Sequence, residues 1–77
     1  MFIELADGTL YNIKNSRKIS FNEITKMDYE IEFYFDDGTT LTLSYYSEES
    51  LLKARENLRR FIKENRTIIY YGDLINA

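Results

Sequence analysis

The sequence contains no cysteine and no histidine, and both absences exclude chemistry. Without cysteine the chain has no disulfide, no thiolate nucleophile and no cysteine-ligated zinc. Without histidine, neither a Ser-His-Asp triad nor a Cys-His pair can form within one chain, and general acid–base catalysis by histidine is absent. Only three glycines occur, and they lie in predicted turns, so no glycine-rich loop is present to hold a phosphate. We therefore expect a protein that is not an enzyme and that binds neither a cofactor nor a metal.

Long apolar runs are missing as well. No stretch approaches the roughly 20 apolar residues that a membrane-spanning helix needs, and the first residues do not form a basic-then-apolar leader. These features predict a cytoplasmic protein without a membrane contact. The net charge of −3 argues against direct nucleic-acid binding through phosphate neutralisation. The 77 residues predict one domain over residues 1–77, small enough that oligomerisation would help its stability.

A central hairpin organises the chain. Apolar and mostly polar residues alternate from Tyr29 to Asp36 and again from Thr39 to Tyr45, which is the period of half-buried strands. A three-residue loop at 36–38 places the apolar side chains of both strands on one face and pairs Phe33 with Leu41. This loop is a type I turn followed by Gly38 in the left-handed conformation. A similar Asp-Gly turn at 6–8 predicts a first hairpin within residues 1–13.

The remaining segments complete an α+β prediction. We expect residues 1–46 to form an antiparallel meander of about five strands. Ser47 is a good N-cap for a helix over about 48–65, which Asn65 ends in the left-handed conformation. The helix presents an apolar stripe that would cover the inner face of the hairpin. The stripe is formed by Leu51, Ala54, Leu58, Phe61 and Ile62. A short strand over about 67–71 would join the sheet or exchange with a second subunit. Residues 73–77 would form a loose tail, or Leu74 and Ile75 would dock on the fold.

Acidic side chains lie on the outward face of the hairpin. Glu30, Glu32 and Tyr34 share that face, and Asp36 and Asp37 stand in its turn. Solvated outward charges account for these residues, and Asp36 and Asp37 lack the ligand spacing of a calcium loop. The functional alternative is a partner-binding surface: such a row of acids can imitate phosphates and occupy a basic nucleic-acid channel, with faster association as a result.

Basic side chains concentrate in the helix. Residues 47–66 carry six basic and four acidic side chains, whereas residues 1–46 carry four basic and eight acidic ones. Arg55, Arg59 and Arg66 would either cover the edge of the core with their stems or form an anion-binding ridge. With Tyr70 and Tyr71, that ridge would hold a nucleotide through charge and stacking.

The two compact hairpins at Asp7-Gly8 and Asp37-Gly38, the single helix from Ser47 and the acidic strand resemble a group of small proteins. These are the short, acidic, cysteine-free proteins of bacteriophages and mobile elements, which include anti-CRISPR proteins and other inhibitors of bacterial defence. The resemblance implies tight binding of a protein partner rather than turnover. Two alternatives stay open: a homo-oligomeric sponge that binds a nucleotide signal, and an oligomerising structural subunit, for instance a homodimer, that uses the strand near Ile68 as an edge.

Overall fold

The strands form two three-stranded sheets rather than one. The computed structural model describes residues 1–76 and shows an α+β fold. Strands β1 (Phe2–Glu4), β2 (Leu10–Asn12) and β6 (Ile68–Tyr70) form the terminal sheet, in the order β2-β1-β6. Strands β3 (Ser16–Thr25), β4 (Asp28–Phe35) and β5 (Thr40–Tyr45) form the central sheet, in the order β3-β4-β5. The helices are α1 (Glu48–Lys63) and the short α2 (Asp73–Asn76).

The central hairpin has the predicted register. Phe33 pairs with Leu41, and the Phe35 N–H donates to the Thr39 carbonyl at 2.9 Å. Gly38 has a φ of +89°, the left-handed conformation that the three-residue loop requires. Asp37 fixes the turn, because its Oδ1 accepts hydrogen bonds from the Thr39 N–H at 2.9 Å and from the Thr39 hydroxyl at 2.6 Å. The turn at Gly8 (φ +87°) is built in the same way.

The predicted five-stranded meander is wrong. A 3₁₀ turn, Ile13–Asn15, separates β2 from β3. It is held by a hydrogen bond from the Lys14 N–H to Asn12 Oδ1 at 3.2 Å and by one from the Ser16 hydroxyl to the Ile13 carbonyl at 2.6 Å. The chain therefore leaves its extended path, and β2 pairs with β1 and not with β3.

The C-terminal strand completes the terminal sheet. β6 lies parallel to β1, with Phe2 opposite Ile68 and Glu4 opposite Tyr70. The Phe2 N–H donates to the Thr67 carbonyl at 2.8 Å, and the Tyr71 N–H donates to the Glu4 carbonyl at 2.9 Å. Of the two predicted fates of this strand, addition to a sheet of its own chain is the one observed.

Helix α1 starts and ends at the predicted caps. Ser47 Oγ accepts a hydrogen bond from the Ser50 N–H at 3.1 Å. At the other end Asn65 has a φ of +56°, and the Arg66 N–H donates to the Phe61 carbonyl at 3.2 Å, which is the Schellman arrangement. The helix proper stops at Lys63, two residues before the predicted end.

The apolar stripe of α1 packs on the inner face of the central sheet. Phe33 and Phe61 are fully buried, and Leu58 is 1% exposed. Ile62 is an exception: it is 47% exposed because it lies at the margin of the stripe, where it borders a surface groove with Met1 and Ile19.

Residues 73–76 are not a loose tail, and Leu74 and Ile75 dock on the core as the alternative prediction has it. This segment forms α2, whose Leu74 is fully buried. The buried Asn57 of α1 donates a hydrogen bond from Nδ2 to the Leu74 carbonyl. Ala77, the last residue of the predicted tail, lies outside the described residues.

Within residues 1–76 no helix has the length and apolar character required to cross a bilayer.

Candidate functional site

The outer face of the central sheet carries the predicted acidic residues together. We call it the acidic face. Its middle strand, β4, presents Glu30, Glu32 and Tyr34, and none of these side chains is buried. Polar side chains of the two neighbouring strands surround them: Lys18, Ser20 and Asn22 on β3, and Thr40, Thr42 and Ser44 on β5.

The register determines which side chains stand next to each acid. Glu30 lies between Asn22 and Ser44, and Glu32 lies between Ser20 and Thr42. The two glutamates are two residues apart on one strand, so their Cα atoms are about 7 Å apart. Their neighbours are short and neutral, and the carboxylates therefore project beyond them.

The acidic face has unpaired negative charge. Among residues 1–76 the ion pair between Arg66 and Glu64 (Nε to Oε1, 3.0 Å) is the only salt bridge, so neither Glu30 nor Glu32 has a basic partner there. The neighbouring Glu32 carboxylate raises the pKa of Tyr34, and partial burial and the charge of Glu30 act in the same direction. The Tyr34 hydroxyl thus stays protonated as a hydrogen-bond donor, and the Lys18 ammonium lies 5.4 Å from the centre of its ring.

The turn acids have different roles. Both are exposed at the end of the hairpin. Asp37 is engaged by Thr39, whose hydroxyl and backbone N–H hold the pKa of the Asp37 carboxyl below its usual value. Asp36 lines a shallow groove of about 400 Å³ together with Asp37, Leu10 and Tyr11. Asp36 therefore remains available for a contact, whereas Asp37 is mainly a turn residue.

The predicted anion site is not assembled in one place. Tyr70 and Tyr71 lie close together, with ring centres 4.9 Å apart, and Tyr71 shares a groove with Ser50 of α1. Arg55 and Arg59 follow Ser50 by five and nine residues, which places them about 140° and 180° around the helix from it.

Arg66 also departs from the predicted ridge. It follows the reversal at Asn65, its guanidinium carbon lies 4.3 Å from the centre of the Phe61 ring, and its Nε donates to Glu64. Arg66 thus lies over the edge of the core, beside Phe61. Among residues 1–76 no group of three or more acidic side chains is suited to hold a metal ion.

The sequence prediction missed the small polar neighbours of the acids. Ser20, Asn22, Thr42 and Ser44 complete the acidic face, and they can be found once the register of the sheet is known. The signal was present on β5, where Thr40, Thr42 and Ser44 alternate with buried residues.

No family model, curated protein or solved structure matches this chain.

Proposed function

We propose that this chain is a small non-catalytic binding protein that acts by occupying the surface of a protein partner with its acidic face. The observation that carries the proposal is the open polar face of the central sheet. Its two glutamates have no ion-pair partner among residues 1–76, and Tyr34 lies beside them. Free carboxylates steer association with a basic surface, and tyrosine is enriched among the residues that dominate binding energy.

The partner we propose has a basic groove of the kind that binds nucleic acids. Glu30 and Glu32 would take the place of successive phosphates, and Asp36 would extend the row toward the end of the hairpin. The protein would inhibit by competition, since a groove filled by the acidic face cannot bind its nucleic acid. Inhibition of a bacterial defence or nucleic-acid-handling protein by a phage protein is the setting in which such competition is useful.

A charge-reversal experiment tests this proposal. A double variant, Glu30→Lys with Glu32→Lys, should lose the partner that wild-type protein captures from a bacterial lysate. The triple variant that also carries Asp36→Lys should lose it as well. The matched control, Glu49→Lys with Glu56→Lys, changes the net charge equally at two exposed positions of α1 and should still capture the partner. Titration of the isolated partner then measures both affinities. Equal affinities for the two double variants would refute the proposal.

The oligomerising subunit is a second candidate that a specific observation favours. The outer face of the terminal sheet carries exposed apolar side chains: Leu10 is 47% exposed, Ile68 is 52% exposed and Tyr70 is 42% exposed. Phe2 lies beside Ile68 on this face, and Glu4 lies between Leu10 and Tyr70. A second copy could cover this patch. Light scattering at high concentration should show a dimer that Ile68→Lys dissociates, and a monomer at all concentrations would remove this candidate.

The nucleotide sponge has less support, because Arg55 and Arg59 lie on the far side of α1 from the groove that Tyr71 lines. A thermal-shift screen with nucleotides tests it directly: a shift that Arg59→Ala abolishes would favour the sponge over the acidic-face proposal.

A further inference from the structure

The outer edge of β5 presents backbone groups without partners. The Phe35 N–H donates to the Thr39 carbonyl, which makes this a hydrogen-bonded pair of the β4–β5 ladder. Such pairs alternate along an antiparallel ladder, so Leu41, Leu43 and Tyr45 also bond to β4. The N–H and C=O groups of Thr42 and Ser44 therefore point away from the sheet, and no backbone hydrogen bond within residues 1–76 reaches them.

This edge also lacks the features that normally prevent pairing. Edge strands are protected by charge, proline, bulges or short length. β2 and β6 have three residues each. β3 carries Arg17 and Lys18 and has a register shift near each end. β5 is six residues long, reads Thr-Leu-Thr-Leu-Ser-Tyr, and pairs with β4 without a shift. β5 is therefore the one edge of the two sheets that is ready to accept a further strand.

An apolar groove lies beside this edge, and we call it the β5 groove. Its volume is about 450 Å³, within the range of small ligand sites. One wall is residues 42–46 of the chain, and the opposite wall comes from the first hairpin and the C-terminal segment. The groove is lined on that side by Leu5, Ala6, Tyr71, Gly72 and Ile75. Side chains that project from an added strand toward the core would thus enter an apolar site.

We propose that β5 binds an extended segment of the partner protein, which adds to the central sheet as a fourth strand. Apolar and basic residues alternate along this bound segment. Successive side chains of a strand point to opposite faces. Those on the inner side would fill the β5 groove, and those on the outer side would join the acidic face. This inference rests on the proposed function in taking a protein as the partner, and it adds the mode of recognition and the chemistry of the bound segment.

Charge complementarity selects basic residues for the outer positions. The rows of the sheet place Ser44 beside Glu30 and Thr42 beside Glu32. A residue opposite Ser44 or Thr42 on the added strand would lie two strand spacings, about 9.6 Å, from the glutamate of its row. Serine and threonine are short, so a lysine or arginine can extend over them to the carboxylate.

A second copy of this chain fits the same edge less well. Pairing β5 with β5 would extend the sheet, but it would add a second Glu30 and Glu32 to the same face and bring no basic residue from β5. Like charges on one face oppose association, whereas a basic segment is attracted to it.

A display library of random peptides of about eight residues, selected on the full-length protein, tests the inference. The expected result is a consensus of alternating apolar and basic residues. Binding of a selected peptide should slow hydrogen exchange of the Thr42 and Ser44 amides. A synthetic peptide of alternating valine and lysine should bind more tightly than one of alternating valine and glutamate.

Two variants locate the site. Thr42→Pro removes an outward N–H, which the fold tolerates at an edge position, and should weaken the selected peptide about tenfold or more through lost backbone hydrogen bonds and steric conflict. Tyr71→Ser should weaken it by removing an aromatic wall of the β5 groove. Ser20→Pro is unsuitable as a control because β3 bonds to β4 at that residue. Thr9→Ser, a change on the first turn, serves as the control instead and should bind normally.

Several results would overturn the inference. These are selection of no peptide, a consensus without alternation or with acidic outer residues, protection of amides away from β5, or full binding by Thr42→Pro. A dimer that Thr42→Pro dissociates would show that a second copy occupies the edge instead. If Thr42→Pro retains a partner that Glu30→Lys with Glu32→Lys loses, the edge inference fails while the proposed function stands. If no protein partner depends on either surface, both fail.

Discussion

Replacing Asn57 with alanine should destabilise the fold, although the residue bears no charge and touches no candidate site. Asn57 is 6% exposed on the core side of α1, and its amide donates to the Leu74 carbonyl. The substitution leaves that buried carbonyl without a partner, which costs about 1–3 kcal/mol. A domain of this size has a free energy of unfolding of about 4–12 kcal/mol, so the loss is a large part of the total.

The measurement is urea unfolding followed by circular dichroism, with thermal unfolding as a second observable. A loss of about 2 kcal/mol corresponds to a decrease of about 8–16 °C in the unfolding temperature at this chain length. Asn57→Leu separates the hydrogen bond from packing, because leucine fills the site and is a good helix former but cannot donate. It should be destabilised as well. Glu56→Ala, at the exposed neighbouring position, should stay within about 0.5 kcal/mol of wild type.

The outcome for Leu decides the reasoning. If Asn57→Leu matches or exceeds wild-type stability while Asn57→Ala does not, packing and not the hydrogen bond holds α2 on α1. If both variants match wild type, the Asn57–Leu74 contact contributes nothing and the argument is refuted. Since Ile75 of α2 lines the β5 groove, loosening of α2 should also weaken peptide binding there.

Four further predictions concern caps and titrating groups. Ser47→Ala removes the acceptor of the Ser50 N–H and should lower the free energy of unfolding by about 1 kcal/mol in urea. At Asn65, where φ is +56°, glycine should stabilise and alanine should destabilise by about 1 kcal/mol in the same assay, because glycine adopts this conformation without strain. Hydrogen bonds from Thr39 lower the pKa of Asp37 from 3.8; the resulting stabilisation is complete above pH 3.8 and is lost as pH falls through the lower folded-state pKa, so the stability difference from Asp37→Asn should shrink in acid. Burial raises the pKa of Tyr45 from 10.0 to about 12. The free energy of unfolding is therefore unaffected by this group below pH 10.0 and falls between there and about pH 12. Tyr45→Phe should remove this part of the decrease in stability at alkaline pH. A pH-independent difference for Asp37→Asn or an unaltered slope for Tyr45→Phe would contradict the assignments.

Local features of the fold could be predicted from the sequence because a few adjacent residues determine them. The central hairpin follows from period-two alternation and from one Asp-Gly turn that allows a single register with all apolar residues on one side. The limits of α1 follow from Ser47 and Asn65, whose backbone preferences act within one turn of the helix. The acidic face follows from the same alternation, since the residues between buried positions of β4 must point outward.

The split into two sheets could not be predicted in this way. The 3₁₀ turn depends on side-chain contacts of Asn12 and Ser16 that compete with continued strand pairing. The parallel pairing of Phe2 with Ile68 joins segments from opposite ends of the chain, and no local pattern specifies such a register. The burial of Asn57 could not be predicted locally either, because its acceptor, the Leu74 carbonyl, lies 17 residues further along the chain. The β5 groove was missed for the same reason, since its walls come from three distant segments.

β5 connects the two surfaces that we propose for binding, and its burial determines what kind of segment can use them. Leu41, Leu43 and Tyr45 are 6–7% exposed and fix the strand against the core, so its outer edge is already in the bound conformation. The entropic cost of ordering on binding then falls on the partner. A carboxylate pair by itself attracts any basic surface. The β5 edge is more selective, because its free N–H and C=O groups must pair with free backbone groups of the partner, and only an extended or disordered segment supplies these. A helix is excluded, since its N–H and C=O groups are already bonded to each other. Together the edge and the acidic face select for backbone conformation as well as charge, which is the discrimination that the acidic face alone cannot provide.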